Sequence, residues 1–80
     1  MDKSSTYMYE VKQKDEEGTI TLFRWELSLR KNDMGIYEGM TNLVTHHLDR
    51  QDVSWVNTGC LSYFSALLFL KNACQQKIQP

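Results

Sequence analysis

The sequence predicts an α+β domain in which a small antiparallel β-meander of two or three strands precedes two α-helices packed on one of its faces. Apolar and polar residues alternate in two stretches of the first 30 residues, which is typical of half-buried strands. A glycine-containing polar segment separates these stretches, as in a hairpin. After residue 40 the apolar residues recur at helical spacing, so the strands are expected to give way to helices.

The length and composition indicate a single globular domain over residues 1–80, with residues 1–5 frayed. Of the 80 residues, 41% are hydrophobic and 24% are charged, which separates the chain from disordered sequences of low hydropathy and high net charge. A chain this short buries only roughly 60–65% of its unfolded surface. Pairing with a second chain would therefore add stability.

The two alternating stretches, TYMYEVKQ and TLFRWELSLR, predict a β-hairpin. If Glu16, Glu17 and Gly18 form its loop, the glycine takes the left-handed conformation that closes three-residue hairpins. The resulting register places all apolar partners on one face, and a one-residue slip would destroy that match. The predicted pairs are Asp15 with Thr19, Val11 with Phe23, Tyr9 with Trp25, and Tyr7 with Leu27.

A third strand and a first helix are predicted next. The turn-forming segment KNDMG precedes IYEGM, which is expected to return beside the second strand, although Gly39 weakens it. From residue 40 onward, apolar spacing predicts a helix that begins near Thr41 or Asn42 as its cap. Its stripe consists of Met40, Leu43, Val44, His47 and Leu48.

The second helix is predicted over CLSYFSALLFLKNACQQKI, beginning at Cys60 after the cap-forming residues Asn57, Thr58 and Gly59. Three further apolar residues, Leu61, Leu68 and Phe69, lie off its expected inner face. A helix that is apolar all round is normally buried all round, so we expect the sheet, the first helix and a further chain to cover it. The expected inner face consists of Cys60, Tyr63, Phe64, Leu67, Leu70 and Cys74.

This apolar surplus favours a small protein-binding regulator or inhibitor without catalytic activity, bacterial or phage-encoded, with a homodimer as one option. Interface hot spots are enriched in Trp, Tyr and Arg. Trp55 has two interpretations, a plug in the core between the helices, which we prefer, or an exposed anchor. The predicted protein-binding residues are Tyr37, Trp55, Leu61 and Phe69.

A nucleic-acid-associated regulator is the alternative. The formal net charge is −1, and duplex-binding domains usually carry a basic excess or a basic stripe, so nucleic acid is a disfavoured partner. The expected outer face of the sheet mixes Arg with Glu, which suits a solvated surface better than a track for phosphates. The residues that this alternative would use are Arg24, Arg30, Lys31 and Arg50.

Neither a metal site nor a cofactor is predicted. His46 and His47 are adjacent and diverge on a helix, while Cys60 and Cys74 are about 21 Å apart on one helix, too far to share an ion or to form a disulfide. A third hypothesis is a thiol enzyme, since a helix N-terminus at Cys60 would lower the pKa of its thiol. The other requirements of such a site, including an orienting group and an oxyanion hole, have no sequence signal.

The expected location is the cytoplasm. The segment MDKSSTYMYE has no apolar core of the kind that signal peptides contain. The longest apolar run, ALLFL, is too short to cross a bilayer. Two reduced cysteines are also typical of cytosolic proteins.

Overall fold

The computed structural model describes residues 4–45 and 54–78, which form a four-stranded antiparallel sheet with one helix on one of its faces. The strands lie in chain order across the sheet, β1-β2-β3-β4. The elements are β1 (Ser4–Lys14), β2 (Ile20–Lys31), β3 (Tyr37–Leu43), β4 (Val56–Asn57) and α1 (Tyr63–Ile78).

The predicted hairpin and its register are present in β1 and β2. Tyr7 pairs with Leu27, Tyr9 with Trp25, and Val11 with Phe23. At the loop, the backbone N–H of Asp15 donates to the carbonyl of Thr19 at 3.0 Å. Gly18 has a φ of 87°, so it takes the left-handed conformation that the loop requires.

The predicted third strand is also present and is longer than IYEGM. It begins after a turn in which the N–H of Asn32 donates to the carbonyl of Ile36 at 2.9 Å. Its pairs with β2 place alternate β3 residues on the same face as the apolar residues of β2. Those pairs are Leu29 with Gly39, Leu27 with Thr41, and Trp25 with Leu43.

The prediction of a first helix from residue 40 is wrong, and with it the two-helix architecture. Met40 and Leu43 belong to β3, where they lie on opposite faces because side chains alternate along a strand. Leu43 is buried opposite Trp25, so pairing with β2 overrides the helical spacing. His47 and Leu48 lie outside the described residues. Within residues 4–45 and 54–78, α1 is the only helix.

The helix begins three residues later than predicted, because the expected cap residues bind β3 instead. Asn57 lies in β4, and Thr58 donates both its N–H and its hydroxyl to the carbonyl of Tyr37, at 3.0 and 2.7 Å. The N–H of Tyr37 in turn donates to the carbonyl of Cys60 at 3.0 Å. The segment before α1 is therefore an edge of the sheet.

The core lies between α1 and the sheet. Ala66, Leu70 and Cys74 supply it from the helix at a spacing of four residues. The expected inner face was partly wrong, because Tyr63 and Phe64 are exposed and Ala66 is fully buried. The buried apolar residues are Trp25, Leu27, Leu29, Leu43, Ala66, Leu70 and Cys74.

Candidate protein-binding surface

Three large apolar side chains point away from the sheet at the beginning of α1. Leu61, Phe64 and Leu68 expose 73%, 77% and 51% of their surface. Phe64 and Leu68 are four residues apart on α1 and lie on one stripe, and Leu61 lies two residues before the helix begins at Tyr63; we call these three residues the α1 patch. Soluble monomers rarely present contiguous apolar surface of this kind without a partner.

The orientation of the α1 patch follows from how the helix begins and what it buries. Ser62 caps the helix, since its hydroxyl accepts from the N–H of Ser65 at 3.1 Å and its carbonyl accepts from the N–H of Ala66 at 3.1 Å. Residues Ala66 and Leu70 then face the sheet. Successive residues of a helix are rotated by about 100°. Leu68 is two residues from each of them, so it points away from the sheet.

Polar contacts hold α1 on the sheet on both sides of the buried stripe. Toward β1, the ammonium group of Lys71 lies 4.9 Å from the ring centroid of Tyr7, and Gln75 donates to the Tyr9 hydroxyl at 2.8 Å. Toward β3, the Lys77 ammonium group donates to the Thr41 hydroxyl at 3.0 Å. These contacts fix the helix in rotation, so the α1 patch is a stable feature of the surface.

The charged residues of α1 have one sign. The segment 60–78 contains two lysines, Lys71 and Lys77, and no acidic residue. The remaining polar side chains of α1 are uncharged serine, asparagine and glutamine. A partner surface that meets this helix therefore faces apolar side chains and no carboxylate of α1.

Of the four predicted protein-binding residues, Leu61 and Phe69 are exposed and only Leu61 lies in the α1 patch. Phe69 is 41% exposed on the other flank of the helix. Tyr37 packs edge-on against Tyr63, with ring centroids 6.0 Å apart at 78°, and is half-buried beneath the start of α1. The structure does not bring these four residues together.

Trp55, the fourth residue, does not fill a core between helices. The guanidinium carbon of Arg30 lies 4.1 Å from the centroid of its ring, and Arg30 also pairs with Glu38 at 2.8 Å. Arg30 alternates with the buried leucines of β2, so this stack lies on the face of the sheet opposite α1. Trp55 is half-buried there.

Sequence reasoning missed Phe64 and Leu68 as surface anchors. The sequence assigns Phe64 to the inner face of the second predicted helix, and it assigns Leu68 only to the apolar residues that lie off that face. The informative signal was Ser62, an N-cap residue directly before a helix-forming segment. It predicts where the helix begins, but it does not select the side of the helix that faces the sheet.

Of the four cations of the nucleic-acid alternative, the three that the structure describes do not share one surface. Arg24 pairs with Glu10 at 2.8 Å, and Arg30 pairs with Glu38. Lys31 lies beside the Tyr37 ring, 5.8 Å from its centroid, on the other face of the sheet. Arg50 lies outside the described residues. Neighbouring carboxylates thus neutralise the two arginines that share a face.

Neither thiol lies at the N-terminus of α1. Cys60 precedes the cap Ser62 by two residues, so it does not occupy the helix N-terminus predicted for it, and its thiol donates to the Thr58 carbonyl at 3.4 Å. Burial raises the pKa of the Cys74 thiol to about 11. His46 and His47 lie outside the described residues, and in the remainder no group of three or more His, Cys, Asp or Glu could hold a metal ion.

Comparison with known protein families, with curated proteins and with solved structures found no match to this chain. The described part of the chain also contains no helix of sufficient length and apolar character to cross a bilayer. The proposals below therefore depend on the geometry of the chain itself.

Proposed function

We propose that this chain is a small regulator or inhibitor that acts by binding another protein through the α1 patch. The observation that supports it most is the exposure of Leu61, Phe64 and Leu68 at the start of a helix that the sheet already holds in place. Full burial of a side chain of this size contributes about 1.5–3 kcal/mol. Three such side chains on a rigid helix are sufficient to anchor an interface.

The charge pattern defines the chemistry of the partner. Helix-in-groove recognition uses apolar anchors at spacings of three, four and seven residues, and α1 supplies the pair Phe64 and Leu68 at a spacing of four. Since Lys71 and Lys77 are the only charged residues of α1, the complementary surface is an apolar groove with an acidic rim. A cytoplasmic location belongs to this proposal and is supported by the free thiols of Cys60 and Cys74.

Site-specific photo-crosslinking in the native host tests the proposal. A photoreactive phenylalanine analogue at position 64 should join the chain to a defined protein. The same analogue at Ile20, which is exposed on the opposite face of the sheet, should not. Equal products from both positions would contradict binding through α1.

The captured protein, once purified, allows a quantitative test by calorimetry. Phe64→Ala should weaken its binding by at least tenfold, since truncation removes about 1.4 kcal/mol or more of interface energy. Ile20→Ala, the matched control, should leave the affinity unchanged. If the partner has an acidic rim, its affinity for the chain should also fall as the salt concentration rises. Lys71→Gln should reduce that salt dependence. A Phe64→Ala variant that folds and binds like the parent would refute the proposal.

A further inference from the structure

The outer edge of β1 carries a regular row of unused backbone groups. In the β1–β2 ladder, the N–H of Asp15 bonds to Thr19, so odd-numbered residues of β1 direct their backbone groups toward β2. The even-numbered residues direct theirs away from the sheet. Among the described residues no strand lies on that side of β1, which is therefore an edge of 11 residues.

The middle of this edge is apolar on both faces of the sheet. Met8 is 48% exposed on the face opposite α1, and Tyr7 is 40% exposed on the α1 side. Edge strands of monomeric proteins usually carry charges or prolines at such positions. In β1 the charged residues Glu10, Lys12 and Lys14 lie only in its second half.

We propose that β1 pairs with β1 of a second copy of this chain, antiparallel, with Met8 opposite Met8 on the two-fold axis. This register places Tyr7 of each copy opposite Tyr9 of the other on the α1 side. Apolar side chains then meet apolar side chains on both faces of the joined sheet. The even-numbered residues from 4 to 12 exchange about ten backbone hydrogen bonds.

Charge selects this register over its neighbours. With Met8 at the centre, Glu10 faces Thr6 of the second copy and Lys12 faces Ser4, so no like charges are opposed. A register centred on Glu10 would set two carboxylates directly opposite each other. One centred on Tyr9 would set the charged Glu10 opposite Met8, so Met8 would lose its apolar partner.

The pairing has a consequence for the proposed function. A two-fold axis perpendicular to the sheet joins two four-stranded sheets into one of eight strands, with both α1 helices on the same face. Two α1 patches would then be displayed in one direction, which suits a bivalent partner. Only this consequence rests on the proposed function, since the pairing of β1 does not involve Leu61, Phe64 or Leu68.

Disulfide trapping tests the register. In a Cys60→Ser background, Met8→Cys should form an intermolecular disulfide rapidly, because opposed residues have Cα atoms about 5.5 Å apart. Thr6→Cys is the matched control, since two Thr6 residues would be about 14 Å apart. Cys74 is fully buried and does not compete. Equal trapping at the two positions would overturn the register.

Sedimentation over a concentration series tests the pairing itself. The parent chain should reach twice its monomer mass of 9.4 kDa.

Variants of Met8 test whether the β1 edge is responsible. Met8→Pro should remain monomeric with an unchanged circular dichroism spectrum, because its missing N–H faces away from β2. Met8→Glu should also be monomeric, whereas Met8→Leu should pair like the parent. Phe64→Glu should still pair, because Phe64 is not part of the β1 edge. Loss of partner binding through the α1 patch would therefore be distinguishable from loss of β1 pairing. A parent that stays monomeric, or a folded Met8→Glu that pairs normally, would overturn the proposal.

Discussion

Leu70 of α1 packs directly on Gly39 of β3, and there is no room between them for a β-carbon. A β-carbon on Gly39 would lie 2.7 Å from Cδ2, 2.8 Å from Cδ1 and 3.0 Å from Cγ of Leu70. These separations are well below ordinary van der Waals contact, so the absence of a side chain at Gly39 sets how closely α1 approaches the sheet. This contact determines which side of the helix is buried.

Gly39→Ala should therefore destabilise the fold by about 1–3 kcal/mol, the usual cost of overpacking a core. Chemical denaturation would measure it. In the Leu70→Ala background the same substitution should cost much less, since the clashing methyl groups are gone. Equal costs of Gly39→Ala in the two backgrounds would show that its effect does not arise from this contact.

The sequence predicted the hairpin well and the helices poorly, for physical reasons. Asp15 and Gly18 specify a turn, and only one register of β1 and β2 then buries the apolar residues together, so two independent local signals agree. The sequence marks Gly39 only as a weak point of the third strand. The need for space at Gly39 arises only when Leu70, from a distant part of the chain, packs on the sheet. Local patterns do not contain that information.

The candidate surface shows the same limit. Helix α1 is apolar on most sides, so its hydrophobic pattern alone did not determine whether Phe64 or Ala66 faces the sheet. The pattern did identify Leu61, Leu68 and Phe69 as surplus apolar residues, and all three are exposed. Their grouping required the rotation that Leu70 and Gly39 impose.

Two leucines of α1, two residues apart, should differ sharply in their contribution to stability. Leu70→Ala removes a side chain that is 3% exposed and should cost about 2–5 kcal/mol. Leu68→Ala changes an exposed residue of the α1 patch to one of higher helix propensity, so the free energy of unfolding should change by about 0.5 kcal/mol or less. Urea denaturation of both variants checks this. A large loss for Leu68→Ala would mean that the chain itself covers the α1 patch.

The start of α1 depends on the hydroxyl of Ser62. Ser62→Ala should destabilise the fold by about 1 kcal/mol, because the N–H of Ser65 loses its acceptor. Ser62→Asp should retain the stability, since a carboxylate also caps and interacts favourably with the helix dipole. Thermal unfolding of the three proteins measures the difference. If alanine and aspartate gave the same midpoint, Ser62 would not be the cap that limits stability.

The buried thiol of Cys74 should make stability depend on pH in the alkaline range. Burial raises the pKa of this thiol from 9.0 to about 11, although the charge of nearby Lys77 lowers it in part. Between these values the unfolded chain loses the proton while the folded chain retains it. The contribution of Cys74 to stability is therefore complete below pH 9 and is lost as the pH rises to about 11, by up to about 2–3 kcal/mol.

Cys74→Ala isolates this contribution from the tyrosines and lysines that titrate in the same range. The difference in unfolding free energy between the parent and Cys74→Ala should be constant from pH 7 to 9 and should fall between pH 9 and 11. Cys60→Ala is the control, because Cys60 is only half-buried and packs against the core from its margin. A difference that stays flat to pH 11 would show that the buried thiol loses its proton as readily in the folded chain as in the unfolded one. Such a result would place solvent beside Cys74, in the layer where Gly39 and Leu70 bring the helix onto the sheet.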